Sequence, residues 1–142
     1  MQVVVLGLNH KTVPVDIREQ FAISPDSARS GLIHLDEQEG IEEAVVLSTC
    51  NRTEIYAVLK DETAKETLYD FFLALSGNSE AKDEYFFYFE GEACIRHLFE
   101  VVSGLDSMVI GESQILNQIK TAYTMALEEK ATRTILNTLF HR

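Results

Sequence analysis

The chain has 142 residues, of which 46% are hydrophobic and 25% are charged, with only two prolines. This composition is typical of an ordinary soluble globular protein with one core, and it excludes the disordered and fibrous classes. The net charge of −11 argues against a broad electrostatic grip on nucleic acid or on an anionic membrane, so we expect any RNA contact to be local.

The opening stretch, MQVVVLGLNHK, is apolar but lacks the basic leader, the length and the cleavage site of a signal peptide. No apolar run approaches the ~20 residues needed to span a bilayer. The two cysteines form neither a disulfide framework nor a metal knuckle, and no GxGxxG or P-loop glycine pattern occurs. We therefore expect a cytoplasmic protein without a metal, whose nucleotide cofactor, if it uses one, binds outside this chain.

The first half of the chain predicts a strand, a helix and a hairpin. Residues 2–10 contain a continuous apolar run that is typical of a buried strand. Ser24 is a helix N-cap with Pro25 in the first turn, and Gly40 follows the helix. EEAVVLSTC and TEIYAVLK are then two strands joined by a short polar stretch, which places Cys50 near a hairpin turn.

The second half predicts a helix, a strand and further helices. TAKE, residues 63–66, matches a capping box before a helix that ends at Gly77, and EYFFYFE is an aromatic strand. The order β-α-β-β-α-β is the split βαβ unit of ferredoxin-like folds, with a mostly antiparallel sheet and both helices on one face. EACIRHLFEVVSG, SQILNQIKTAYTMALEEK and RTILNTLFHR are amphipathic helices. The predicted fold class is α+β, a ferredoxin-like unit followed by additional C-terminal helices in a single domain, residues 1–142. Because the last helix is still amphipathic at its end, we expect an N-terminal portion of a longer protein.

Cys50 is the first candidate for chemistry. A free cysteine is often a small buried hydrophobe, but residues 48–54 are otherwise polar, and the adjacent Arg52 would favour the reactive thiolate. Turn amides can also stabilise an anion or an oxyanion there. Both interpretations remain open. Cys94, inside an amphipathic helix, is explained by packing alone.

Two of the four histidines, His34 and His141, are interpreted as surface residues. His10 ends the first strand in a polar segment that is either a turn or part of a site. His97 lies beside the apolar stripe of its helix, where it is either a satisfied core residue or, if it faces Cys50, an acid, base or orienting group.

The segment GLDSMVIGESQILNQIK, residues 104–120, is rich in polar side chains around two glycines. Gln114 and Gln118 share a helix face at i and i+4 and, with Ser107, provide donors and acceptors that suit a small amino acid. Helix capping and solvated faces are the alternative explanation, particularly for Glu112.

STCNRTEIYAV together with HLFEVVSGLDSMVIGESQILNQIK resembles the N-terminal catalytic domain of glutamyl-tRNA reductase, and VVVLGLNHKTVPVDIRE resembles the usual start of that family. The resemblance covers essentially the whole chain. It implies that a cysteine takes the glutamyl group from glutamyl-tRNA as a thioester, which NADPH reduces to glutamate-1-semialdehyde in the first step of tetrapyrrole (porphyrin and haem) biosynthesis.

By motif position, the resemblance implies that Cys50 is the nucleophile and that His97 is a histidine important for activity. Of the two roles open to Arg52, bidentate pairing with the substrate carboxylate suits a glutamate-specific site better than lowering the thiol pKa. The substrate-binding residues that the resemblance implies are Thr49, Asn51, Arg52, Ser107, Glu112, Ser113, Gln114 and Gln118.

The resemblance also implies parts that this chain lacks. Family members continue into an NADPH-binding Rossmann domain and a C-terminal dimerisation domain, so NADPH binding, the homodimer contact and most tRNA contacts are expected outside residues 1–142. Glutamate-1-semialdehyde aminomutase is the expected handover partner. On this basis the present chain forms the thioester but does not reduce it.

Two other functions remain alternatives. One is a cysteine hydrolase of small esters or amides, with Cys50 and His97 as a dyad. The other is a non-catalytic ferredoxin-like module for ligand binding or regulation, in which Cys50 packs and the polar clusters are helix caps.

Overall fold

The computed structural model describes residues 1–104 and 114–141. In chain order the described elements are β1 (Gln2–Asn9), α1 (Val15–Gln20), α2 (Pro25–Ile33), β2 (Ile41–Ser48), β3 (Arg52–Leu59), α3 (Ala64–Ser76), β4 (Phe87–Glu90), α4 (Glu92–Val102), α5 (Gln114–Glu128) and α6 (Thr134–Phe140). Short 3₁₀ turns at Leu35–Glu37 and Asp83–Tyr85 precede β2 and β4. In the described part of the chain, no helix has both the length and the apolar character needed to cross a membrane.

The four strands form one sheet in the order β2-β3-β1-β4, and every neighbouring pair is antiparallel. The β2–β3 hairpin and the two helical connections produce this order, which is that of a split βαβ unit. The predicted ferredoxin-like α+β class, followed by C-terminal helices, is confirmed.

Helices cover both faces of the sheet. As a result, all eight residues of β3 are buried. On one face, Glu54 contacts His97 of α4 and Tyr56 packs edge-on against Phe140 of α6. On the other face, the Ser48 hydroxyl accepts a hydrogen bond from the backbone amide of Ile23, which lies just before α2. A strand covered on both sides has no polar face, which explains why TEIYAVL reads as nearly continuous apolar sequence.

Two local predictions were wrong at the start of α3 and of β4. Thr63 has helical dihedrals and makes no side-chain cap bond. Instead, Oδ1 of Asp61 accepts both the amide and the hydroxyl of Thr63. The strand predicted from EYFFYFE begins only at Phe87, because Asp83–Tyr85 form a 3₁₀ turn and Phe86 packs against Phe72 with ring centroids 5.2 Å apart.

A buried glutamate fastens the C-terminal helices to the outer edge of β2. Oε1 of Glu43 accepts the amides of Arg133 and Leu136 at 2.7 and 2.9 Å, at the start of α6. A register irregularity between Ile41 and Glu43 lies at the same place in the β2–β3 ladder. The carboxylate therefore satisfies amides that the helix itself leaves without partners, at the end where the helix dipole favours negative charge.

Gly7 lies in the centre of β1, opposite Glu54 on β3 and Phe87 on β4. A Cβ added to Gly7 would lie 2.7 Å from the Thr53 carbonyl oxygen, 2.8 Å from Cγ of Glu54 and 2.9 Å from Cζ of Phe87. The glycine is therefore required by close packing across three strands.

Gly7→Ala is expected to lower the free energy of unfolding by about 1–3 kcal/mol, because backbone and buried side chains must shift to admit the methyl group. Urea denaturation monitored by circular dichroism measures the loss. Gly31→Ala is the matched control: the three atoms nearest to its added Cβ all belong to the side chain of Leu75, which can change rotamer, and alanine favours the helix. Equal losses in the two variants would contradict the packing role of Gly7.

Candidate active site

Cys50 lies in the connection between β2 and β3, and its side chain is exposed. The turn is tightly bonded. The Thr49 amide donates to the Arg52 carbonyl at 2.8 Å, and the Asn51 amide donates to the Thr49 hydroxyl at 3.1 Å. Both of these amides already have acceptors within the turn, so a rigid backbone presents the thiol to solvent.

Arg18 holds this turn from outside the hairpin. Its Nε donates to the Cys50 carbonyl at 3.3 Å and its Nη1 donates to the Val13 carbonyl at 3.0 Å. The side chain is 9% exposed. Arg18 belongs to α1, a six-residue helix that no sequence pattern predicted, and a single arginine in so short a segment gives no signal of this role.

A buried polar network lies two residues beyond the cysteine. Oε2 of Glu54 accepts Nη1 of Arg52 at 2.9 Å and lies 2.7 Å from Nε2 of His97, while Oε1 accepts the Tyr56 hydroxyl at 2.8 Å. The exposed fractions are 1% for Arg52, 0% for Glu54 and 6% for His97. One carboxylate thus joins an arginine and a tyrosine of β3 to a histidine of α4.

Aromatic rings surround this network. The ring centroid of His97 lies 4.8 Å from that of Phe87 and 5.3 Å from that of Phe89. Burial, followed by the negative charge of Glu54, raises the pKa of Tyr56 well above its ordinary value. The hydroxyl of Tyr56 therefore stays protonated and acts as a donor to the carboxylate.

Glu54 was not among the predicted site residues, although the sequence carries a signal for it. Arg52, Glu54 and Tyr56 alternate along β3, and side chains at i, i+2 and i+4 of a strand lie on one face. A charged pair with this spacing inside an otherwise apolar strand indicates a buried ion pair. The fourth member of the network, His97, comes from a helix and could not be matched to the strand by spacing.

Cys94 is fully buried on α4, in agreement with the predicted packing role. Burial, with a smaller contribution from Glu54, raises the pKa of Cys94 to about 12. Because burial disfavours the thiolate of Cys94, the free energy of unfolding is highest below pH 9.0 and falls as the pH rises from 9.0 towards 12.

The remaining candidate residues lie in several places. Gln114 and Gln118 are both exposed on α5. Gln118 lines a cavity of about 280 Å³ that extends to Ser48, two residues before Cys50. Ser107, Glu112 and Ser113 lie outside the described residues, so their predicted roles are not tested. Among residues 1–104 and 114–141, no group of His, Cys, Asp and Glu is arranged to hold a metal ion.

The histidines other than His97 differ in surroundings. His34 and His141 are exposed, as expected for surface residues. His10 lies in the turn after β1, and its amide donates to the Asn51 carbonyl at 3.2 Å. The loop after β1 and the Cys50 turn are therefore neighbours.

A protein-family model described as glutamyl-tRNAGlu reductase, N-terminal domain, matches residues 6–142. Curated relatives include glutamyl-tRNA reductase from Rubrobacter xylanophilus, 46% identical over 99% of this chain and 33% of the relative, and that from an Exiguobacterium species, 48% identical over 99% of this chain and 32% of the relative. A solved structure of glutamyl-tRNA reductase from Methanopyrus kandleri is similar with a TM-score of 0.79 and 31% identity, over 98% of this chain and 31% of that one. The chain spans about a third of the length of the curated relatives it matches.

Glu54→Gln is expected to lower the free energy of unfolding by about 3 kcal/mol or more, because the substitution removes the charge that compensates the buried Arg52 guanidinium. Thermal and urea unfolding measure the change. Glu37→Gln, which removes half of the exposed His34–Glu37 pair, is the control and is expected to cost less than about 1 kcal/mol. A loss from Glu54→Gln no larger than that of the control would contradict the central role of this network.

The two cysteines are expected to differ sharply in alkylation by iodoacetamide. Cys50 is exposed and reacts in the folded protein, whereas Cys94 is buried and its raised pKa keeps it a neutral, unreactive thiol at pH 8. Peptide mapping by mass spectrometry after brief labelling measures both sites, with labelling in urea as the control for Cys94. Modification of Cys94 as fast as Cys50 under native conditions would refute this assignment.

Proposed function

The chain belongs to the family of glutamyl-tRNA reductase N-terminal domains, and from this premise we propose that Cys50 accepts the glutamyl group of glutamyl-tRNA as a thioester. The sulfur attacks the ester carbonyl carbon, a carbon–sulfur bond forms, and the bond from that carbon to the ribose oxygen breaks. The proton that the thiol loses ends on the released ribose oxygen, which becomes a hydroxyl. The observation that carries the proposal is an exposed thiol in a rigid turn, two residues from a buried arginine.

A thiol is suited to this task because a thioester is more readily reduced than an oxygen ester. Sulfur donates little electron density to the carbonyl and leaves as a stable thiolate. Cys50 therefore converts the glutamyl ester into a form that a hydride donor can reduce to an aldehyde. In the proposed reaction of the whole enzyme, the product is glutamate-1-semialdehyde, which enters tetrapyrrole synthesis.

Arg52 is proposed to recognise the carboxylate of the glutamyl group. The 2.9 Å bond from Nη1 of Arg52 to Oε2 of Glu54 fixes the orientation of the guanidinium. The planar fork of N–H donors of an arginine matches the two oxygens of a carboxylate. Thr49, Asn51, Gln114 and Gln118 are the proposed neighbouring substrate contacts, with Ser107, Glu112 and Ser113.

His97 is proposed to take the proton that the thiol loses and pass it to the leaving ribose oxygen, through Nδ1, because its Nε2 is bonded to Glu54. Its bond to Glu54 holds the imidazole ring in one orientation, as carboxylates do for catalytic histidines in other enzymes. In this proposal, Glu54 is a positioning residue that acts through Arg52 and His97.

The described residues do not form a Rossmann-type dinucleotide site. Residues 1–104 and 114–141 have an antiparallel sheet, whereas such sites lie where a strand of a parallel sheet turns through glycines into a helix. NADPH, the reductive step, the homodimer contact and delivery to glutamate-1-semialdehyde aminomutase are therefore proposed for parts of the enzyme beyond this chain.

Exposure of the chain to glutamyl-tRNA is expected to give one glutamyl adduct on Cys50, detected by intact-protein and peptide mass spectrometry. Cys50→Ser abolishes the adduct, because a hydroxyl in the same turn is a far weaker nucleophile. Arg52→Lys also removes it, since lysine cannot form the bidentate pair, while alkylation of Cys50 by iodoacetamide persists.

Two controls accompany this experiment. Cys94→Ala keeps the Cys50 adduct, and a free glutamate ester tests the hydrolase alternative. Turnover of the free ester without acylation by glutamyl-tRNA would favour the hydrolase. Parallel loss of acylation and alkylation in Arg52→Lys would refute the role of Arg52 in substrate recognition.

A further inference from the structure

A second cavity, of about 280 Å³, opens between the loop after β1, the edge strand β4 and helix α4. It lies on the α4 side of the sheet, and His97 reaches it from the Glu54 network. Its other walls include two phenylalanines of β4 and two cationic side chains, and none of these four has a role in the proposed acyl transfer. The four residues are Lys11, Phe87, Phe89 and Arg96.

The geometry points to this cavity as the binding site for the 3′-terminal nucleotide of the tRNA, an inference that rests on the proposed function. Single-stranded RNA is recognised by aromatic faces that stack on bases and by cations that pair with phosphates. Phe87 and Phe89 provide half-buried rings, and Lys11 and Arg96 are exposed at the rim.

The local charge supports an anionic ligand. The whole chain has 23 acidic and 12 basic residues, so a random patch of its surface would carry more carboxylates than cations. The cavity reverses this ratio, because its walls include Lys11 and Arg96 and a single carboxylate, that of Glu100. A phosphate at the rim would therefore find favourable charge on an otherwise acidic protein.

The position relative to Cys50 is the second argument. Asn9, which lines the cavity, pairs with Arg52 in the β1–β3 ladder, and the His10 amide bonds to Asn51. One short loop thus separates the cavity from the Cys50 turn. The ester that Cys50 attacks is attached to the ribose of the terminal nucleotide, so the base of that nucleotide must lie within one nucleotide length of the sulfur.

The loop is held in place without any ligand. The Asn9 amide donates to the Thr12 hydroxyl at 3.0 Å, the Lys11 amide donates to Oδ1 of Asn9 at 2.9 Å, and the Val13 amide donates to the Asn9 carbonyl at 3.0 Å. Asn9 itself is only 3% exposed. A preformed loop reduces the entropy lost when a flexible RNA end binds.

The glutamyl group is the rival occupant, because its carboxylate would also pair with Arg96. Its aliphatic chain gains little from two aromatic walls, whereas a base stacks on them. A substitution that removes an aromatic ring but keeps the volume should therefore weaken binding of a nucleotide and leave binding of a glutamyl group nearly unchanged.

The test measures binding of the RNA trinucleotide CCA to the chain by calorimetry, with free glutamate and inorganic phosphate as comparison ligands. Phe89→Leu is expected to weaken CCA binding roughly tenfold, because a leucine fills space but does not stack. Arg96→Gln is expected to weaken it and to reduce the dependence on salt, with a slope smaller by about 0.7. The ring signals of His97 in NMR spectra shift when CCA is added.

Matched controls use the same substitutions outside the cavity. Phe99→Leu changes an exposed phenylalanine of the same helix as Arg96, and Arg133→Gln changes an exposed arginine. Neither affects CCA binding. Unchanged CCA binding in Phe89→Leu, or glutamate or phosphate binding that shows the same dependence on Phe89 and Arg96, would overturn the nucleotide site.

Acylation of Cys50 by glutamyl-tRNA in the same variants separates this inference from the proposed function. Acylation that is insensitive to Phe89→Leu and Arg96→Gln leaves the thioester proposal intact and removes the nucleotide site. CCA binding that depends on Phe89 and Arg96, without any glutamyl adduct on Cys50, would retain the nucleotide site and refute the thioester proposal.

Discussion

The structure depends on a carboxylate buried in the centre of its sheet. Glu54 has no exposed surface and accepts hydrogen bonds on both oxygens. A buried charge is tolerated only when it is paired and its remaining lone pairs are satisfied, because desolvation otherwise costs several kcal/mol. Arg52, Tyr56 and His97 meet this requirement together. Glu54 therefore requires α4 to lie at a fixed position over the strands, and the same bonds orient the two side chains proposed to act on substrate.

The turn that carries Cys50 gains its rigidity from this arrangement. It continues directly into Arg52, which is locked in the network, and Arg18 holds it from the opposite side. The thiol is thus exposed while the backbone around it is fixed at both ends. This division suits a nucleophile that must be accessible to a large substrate and yet be presented in one geometry.

The sequence predicted the fold well where one physical signal dominates. The hairpin around Cys50 follows from two apolar runs and a polar turn. Helix α3 ends at Gly77, whose backbone has the left-handed conformation that glycine adopts most readily. Prediction failed where a tertiary contact decides: Phe86, which the aromatic run places in a strand, packs against Phe72 of α3, and β4 begins only at Phe87. Among the candidate residues, the polar neighbours of Cys50 between two apolar runs indicated a site there. Glu54 could not be assigned a role, because its partner His97 is 43 residues away and on another element.

The acidic character of the chain has a structural use in two places. Glu43 and Glu54 are both buried, and strand pairing places them on the same face of the sheet, opposite Val58 and Leu47 respectively. Glu43 caps α6 and Glu54 bonds to α4, so each carboxylate fixes one helix of the second layer by a directional bond that apolar packing alone does not provide. A slip of either helix by one turn would leave a buried charge without its partner. The two glutamates therefore fix the positions of α4 and α6 on the sheet. The position of α4 in turn places His97 beneath the loop that borders Cys50.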